Sequence, residues 1–252
     1  MRRTSGCAML LLLCAVGFCP FAIPCAAQDW TPVGRGDAAP AKAADLLTLR
    51  HIGLTKDALL GALHNDSSEI RGLAAAQLAD EGATDAIPAI VAALEAEQAP
   101  MQKLNIAASL AQLGDERGIR ALHQACYDTH LSMSDRLTAV SDLLFWHDES
   151  CWNVVAQAAQ SHDVTDRITA FSLFPSFEKL STDQSAAFRA QVINAAHDDD
   201  SSVRMEAINT LDRIGDVNDA IPALEAAIVA EPSPVMRMMM ENELRGLKKK
   251  QQ

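Results

Sequence analysis

Five cations recur along this sequence at an even pitch. Arg71, Lys103, Arg136, Arg167 and Arg204 span 133 residues in four steps, or about 33 residues per step. A row of that kind could bind a polyanion, or it could tie each repeat to the next through acidic neighbours. Asp66, Asp135, Asp166 and Asp200 lie close enough in sequence to serve as those neighbours, and a net charge of −12 disfavours a polyanionic ligand. The ladder is therefore expected to be structural. Four histidines, His64, His130, His162 and His197, stand beside Asp66, Asp128, Asp163 and the run Asp198, Asp199, Asp200. Imidazole beside carboxylate can hold a divalent metal or respond to acid. Histidine at a helix C-terminus next to an aspartate cap is also ordinary end chemistry, and that is the reading adopted. His123 and Cys126 supply two of the four ligands that a structural zinc takes, too few to predict a metal site.

Catalytic groupings are missing. There is no Gly-rich phosphate loop, no GxSxG, no HExxH and no CxxC, and a glycosidase-like carboxylate pair needs a fixed cleft that periodicity does not reveal. No catalytic residue, metal or cofactor is predicted, and the chain reads as non-enzymatic. Of the six cysteines, Cys7, Cys14, Cys19 and Cys25 fall in an N-terminal apolar segment, which leaves Cys126 and Cys151. In repeat register Cys126 falls near the end of one second helix and Cys151 at the start of the next. The offset of about eight residues amounts to roughly 12 Å along the helix axis. A disulfide spans only roughly 4.4 to 6.8 Å between α-carbons, so two unpaired thiols are expected.

The elements that would position these groups are short helices. In residues 66–94, Ile70, Leu73, Ala74 and Leu78 share one helical face, and Ile87, Ile90, Val91 and Leu94 share another. Ser67 or Ser68 can cap the first helix. Asp85 can cap the second, with Pro88 in its first turn, where no donor is missed. Neither helix is long enough to stand alone, and the pair leaves apolar surface that a further copy would cover. Copies follow: Ile87 recurs as Ile119 and Trp152, and Leu78 as Leu110 and Leu143, in both cases after 32 and then 33 residues. SDRLTAVS at 134–141 answers TDRITAFS at 165–172, and DAIPAI at 85–90 answers DAIPAL at 219–224. No segment shows strand periodicity.

LGDERGIRAL at 113–122 and IGDVNDAIPAL at 214–224 carry a pattern that resembles HEAT repeats, in the variant found in phycobilisome lyase-like proteins. The resemblance implies a right-handed α-solenoid of five to six helical hairpins, all-α, over residues 44–247. It also implies an alternative function, an enzyme or enzyme accessory related to the bilin lyases. LSMSDRLTAVSDLL, at 131–144, is similar to part of the C-terminal helical region of M1-family aminopeptidases, but their zinc motif is missing here.

Residues 1–27 read as a signal peptide: Arg2 and Arg3 precede an apolar run, and Ala26 and Ala27 offer a cleavage site. Lipid anchoring through Cys25 is less favoured, because Ile23 and Pro24 stand where small residues belong. Residues 28–43 read as a flexible linker and 248–252 as a disordered basic tail. Export to a periplasmic or secreted location is expected. Removing Arg2 and Arg3 with the signal takes the charge from −12 to −14. Nucleic acid is thus an improbable partner, no membrane span remains after processing, and a monomer is expected. The expected partner is another protein, held on the concave face. The candidate binding face comprises Arg117, Arg120, Gln124, Tyr127, Gln157 and Gln160. Trp146 and Trp152 are read as core fillers.

Overall fold

The computed structural model describes residues 42–214 and 217–251. The expected signal peptide and all but the end of the expected linker therefore lie outside the described residues. The described chain is a succession of helices in six hairpins and a closing helix: α1 (Ala43–Leu49) and α2 (Lys56–Ala62), α3 (Ser68–Asp80) and α4 (Ile87–Ala96), α5 (Pro100–Gln112) and α6 (Glu116–Tyr127), α7 (Met133–Phe145) and α8 (Trp152–Ala158), α9 (Val164–Leu173) and α10 (Thr182–Ala195), α11 (Ser201–Arg213) and α12 (Val217–Ala230), then α13 (Pro234–Lys250). No strand occurs among the described residues. No described helix is long and apolar enough to cross a membrane.

Local chemistry sets these boundaries. Pro100 and Pro234 open α5 and α13 at a position where a missing N–H costs nothing. The side chains of Asp115, Ser132, Asp163, Asp200 and Ser233 accept backbone N–H groups in the first turns of α6, α7, α9, α11 and α13. Two expected caps behave differently. Ser67 stands at the N-cap of α3 but its side chain makes no capping bond, and Asp85 sits in a 3-10 turn ahead of α4 and pairs with Lys56. Gly82 and Gly114 take left-handed backbone just past α3 and α5. His51 and His147 occupy the same place after α1 and α7 with φ 59° and 56°, so these copies of the turn accept a strain that glycine avoids.

First helices stack in series: α1 on α3, α3 on α5, α5 on α7, α7 on α9, α9 on α11 and α11 on α13. Each second helix packs on the first helix that follows it. The principal contacts join only elements of the same or adjacent hairpins, and one ribbon of buried side chains runs from Leu47 to Leu247. The protein is thus an all-α solenoid, in which each hairpin gains its buried face from its neighbours. Basic residues 248–250 form the last turn of α13 rather than a disordered tail. Lys248 pairs with Glu225 and Lys250 with Asp212, and the turn carries positive charge where the helix dipole favours it.

A close contact between helix backbones lies at Gly118. A β-carbon there would stand 2.4 Å from both the Ala107 carbonyl oxygen and the Ala111 nitrogen, so α6 rests directly on the backbone of α5. Gly118→Ala should lower the unfolding free energy by about 2 to 3 kcal/mol, read as an earlier thermal or urea transition. The control is Gly61→Ala, where nothing lies within 4 Å of the added carbon and the helix gains roughly 0.5 to 1 kcal/mol.

Candidate protein-binding site

The six residues of the expected binding face are all solvent-exposed, on α6, on α8 and just beyond α8. Their environment is more constrained than exposure suggests. Arg117 forms a two-pronged bond with Asp115, at 2.8 and 2.7 Å, which raises its own pKa and holds the Asp115 carboxyl down at about 2. Arg120 pairs with Glu116 at 3.3 Å. Both cations are therefore locally neutralised, which leaves the face polar and nearly uncharged. Gln157 accepts from Arg136 at 3.4 Å, and Gln160 donates to the Ala156 carbonyl. Tyr127 is 48% exposed, and its hydroxyl donates to the Ser150 carbonyl at 2.6 Å.

Cys126 and Cys151 form a disulfide, with 6.5 Å between their α-carbons, contrary to the two free thiols expected. The expectation assumed that α6 and α8 stack in register. In the structure the connection ahead of α8 lies against the last two turns of α6 instead. Three links fix it there: His123 bonds Asp148 at 2.7 Å, Tyr127 bonds Ser150, and the disulfide joins Cys126 to Cys151. His123, Cys126 and Tyr127, at i, i+3 and i+4, share one face of α6, so a single helical stripe carries all three. Arg136 of α7 donates from its Nε to the Cys126 carbonyl at 2.9 Å and ties α7 to the same end of α6. Both sulfur-bearing residues are buried. Together these bonds bring Tyr127 of α6 and Gln157 of α8 into one supported region.

Asp148, His123 and Ser150 have the composition of a nucleophilic triad but not its geometry. Asp148 and Ser150 both approach the same imidazole nitrogen, Nε2, at 2.7 and 3.3 Å, so the ring cannot relay a proton between them. The Asp148 carboxyl lies below its ordinary pKa: burial works against the shift, but bonds from the Ser150 side chain and N–H and from His123 outweigh it. Burial pushes two other carboxyls up, Asp142 to about 6 and Glu206. Neither is hydrogen-bonded to another acid; Glu206 pairs with Arg213. Among the described residues no group of three His, Cys, Asp or Glu side chains could hold a metal ion. Cys126 is committed to its disulfide, and His64, His130, His162 and His197 are all exposed.

The cation ladder is structural, with partners other than those expected. Arg71 donates to the carbonyls of Asn65 and Asp66 and forms a fork with Glu97, at 2.8 Å from each oxygen. Arg167 grips the Ser161 and His162 carbonyls and Asp198; Arg204 grips the Asp198 and Asp199 carbonyls and Glu231. The device is the same each time. One guanidinium bonds the connection before its own helix through carbonyls five and six residues back, and the following connection through a carboxylate. Asp66, Asp135, Asp166 and Asp200 are not the salt-bridge partners; Asp135 and Asp166 accept from Ser132 and Ser161, and Asp200 caps α11. Lys103, lacking a fork, is exposed and makes no ion pair among the described residues. Glu97 and Glu231 each stand three residues before a proline, in EQAP and EPSP, a repeated signal that could have found them.

The aromatic residues divide. Trp152 is half-buried against the core, whereas Trp146 is 37% exposed and meets the more exposed Phe145 edge to face at 5.1 Å, so Trp146 is surface and not core. No curated protein matches the chain. A family model for HEAT repeats matches residues 176–245, which take in α10, α11, α12 and most of α13. That stretch is similar to HEAT repeats, and the same kind of hairpin is stacked ahead of it from α1 onward.

Proposed function

We propose that this protein is an exported, non-catalytic scaffold that binds another protein along the exposed flank of its second helices, with Arg117, Arg120, Gln124, Tyr127, Gln157 and Gln160 as the contact residues. The observation that carries the reading is the disulfide-braced junction of α6 and α8. It supports an exposed tyrosine and a set of amides on a surface that needs no reordering to bind. Export is supported by the N-terminal segment and by the disulfide, which forms in oxidising compartments. The phycobilisome lyase-like variant of the repeat remains a resemblance of sequence pattern, and no site feature favours bilin attachment.

The test is capture of partners from an envelope extract by the mature protein and by its Arg120→Ala/Tyr127→Ala double variant. A partner retained saturably by the parent and at least about tenfold more weakly by the variant supports the face. Equal retention by both moves the binding surface elsewhere. If nothing saturable is retained, the protein is a spacer rather than a scaffold.

A further inference from the structure

Two neighbouring rungs of the cation ladder lack a carboxylate. Arg71, Arg167 and Arg204 each receive one from the following connection, and the residue that supplies it stands at one fixed place. Glu97, Asp198 and Glu231 all lie three residues before the next first helix, which opens at Pro100, Ser201 and Pro234. His130 holds that place ahead of α7 and Ser161 holds it ahead of α9. Lys103 and Arg136, the rungs those two connections serve, make no ion pair among the described residues. They differ in burial. Lys103 is exposed to water, whereas Arg136 is only 8% exposed, so solvent does little to replace the partner it lacks.

What holds Arg136 is neutral. Its Nε donates to the Cys126 carbonyl at 2.9 Å, and its Nη2 reaches the Gln157 amide oxygen at 3.4 Å. Nη1 grips two carbonyls in each of the three filled rungs, but in Arg136 it donates to nothing among the described residues and is not sealed from solvent. The acids nearest in sequence are committed elsewhere. Asp128 accepts the His130 N–H, Asp135 accepts from Ser132, Asp163 caps α9, and Asp166 accepts from Ser161. The Arg136 guanidinium is therefore fixed in place, short of a counter-charge, and open on one side next to the exposed Gln157.

We propose that Arg136 receives its carboxylate from outside the chain, from an aspartate or glutamate side chain of the protein that binds the α6–α8 face. That acid completes the rung as Glu97, Asp198 and Glu231 complete theirs. The polypeptide source rests on the binding face proposed above; the carboxylate rests on the ladder alone. A guanidinium selects this group by shape as well as charge, since its coplanar N–H donors match two carboxylate oxygens. The Gln157 amide nitrogen makes no bond among the described residues and adds a donor beside the docked acid. With the chain at −12 overall, acids are not drawn to it in general, so affinity at this point comes from one desolvated cation.

Three probes test the assignment: acetyl-glycyl-glutamyl-glycine amide, its glutaminyl counterpart and acetate. Each is titrated into the folded protein while the Nε–H signal of Arg136 and the side-chain amide of Gln157 are followed by NMR. The expected result is saturable movement of both signals by the glutamyl peptide, with the glutaminyl peptide and acetate at least about fivefold weaker. Ser161→Glu supplies the missing carboxylate from within. It should weaken the glutamyl peptide at least about tenfold and raise the melting temperature by about 2 to 4 °C. Signals that do not saturate, equal affinity for the two peptides, or unchanged affinity in Ser161→Glu would each overturn the carboxylate site. Acetate binding as tightly as the glutamyl peptide would overturn the polypeptide as its source. Should Ser161→Glu fail to fold, the titrations of the parent decide alone. None of these measurements changes Arg120 or Tyr127, so failure here and failure of the capture test are told apart.

Discussion

Glu231→Ala should lower the unfolding free energy by about 3 to 5 kcal/mol, the cost of stripping one partner from a buried ion pair. Glu231 is 1% exposed and Arg204 8%, so the guanidinium left behind has little water to replace its carboxylate. The variant also loses the acceptor for the Ser233 N–H, at 2.9 Å, which orients the turn into α13. Glu97→Ala removes the equivalent carboxylate at the other end of the array. It should cost less, because the Arg71 side chain is 22% exposed and can rehydrate. Urea unfolding of the two variants beside the parent gives the ranking. Arg204→Met added to Glu231→Ala should recover a large part of the loss, since no buried charge is then unpaired. If Glu231→Ala costs no more than an exposed pair does, roughly 1 kcal/mol or less, the arginine forks do not hold the repeats together.

The same carboxylates set the response to acid. The Ser233 N–H and then Arg204 hold Glu231 below the ordinary carboxyl range, and Glu97 is held low chiefly by Arg71. A group whose pKa falls on folding contributes stability that is fully present above its unfolded value, roughly 4.3 for glutamate. That contribution is lost as pH drops through the lower folded value. The parent should therefore lose stability below about pH 4, and Glu231→Ala, with one such group fewer, should lose less over the same interval.

The Cys126→Ala/Cys151→Ala double variant should lose about 3 kcal/mol, because the bond closes a loop with a sequence separation of 25 residues that the unfolded chain would otherwise explore. The loss should be concentrated locally. At seven residues, α8 is too short to persist without tertiary support, and the disulfide stands at its N-cap. Hydrogen exchange should therefore speed up in α8 and in residues 146–151 well before it does in α3 or α5. The partner bonds from His123 and Tyr127 remain in the variant, so the junction should loosen rather than open. Unchanged exchange in α8 would mean that those bonds suffice without the disulfide.

The two cysteines also mark where reading the sequence stops working. Repeat register places Cys126 near the end of one second helix and Cys151 at the start of the next, which presumes that every hairpin has the same length and axial position. The shortened α8 and the turn at His147 break that presumption locally, and a few ångströms of slip make a disulfide where the repeat register forbids one. The arginine ladder failed in a milder way. Its pitch was legible and its structural role followed from charge, but its partners lie 26 to 31 residues away in sequence, across the repeat boundary, where proximity along the chain carries no information.

What the sequence determined by itself was the helical hairpin, its period and its all-α stacking. Those depend on apolar spacing within single helices and on caps and prolines at their ends, interactions that close within a few residues. Only the tertiary structure decided which side chains meet. It paired Cys126 with Cys151, set Glu97 and Glu231 under Arg71 and Arg204, and brought Trp146 to the surface. The reason is physical: contacts between repeats depend on the relative position of whole helices, and one shortened helix or lengthened turn shifts every such contact around it while leaving the local pattern intact.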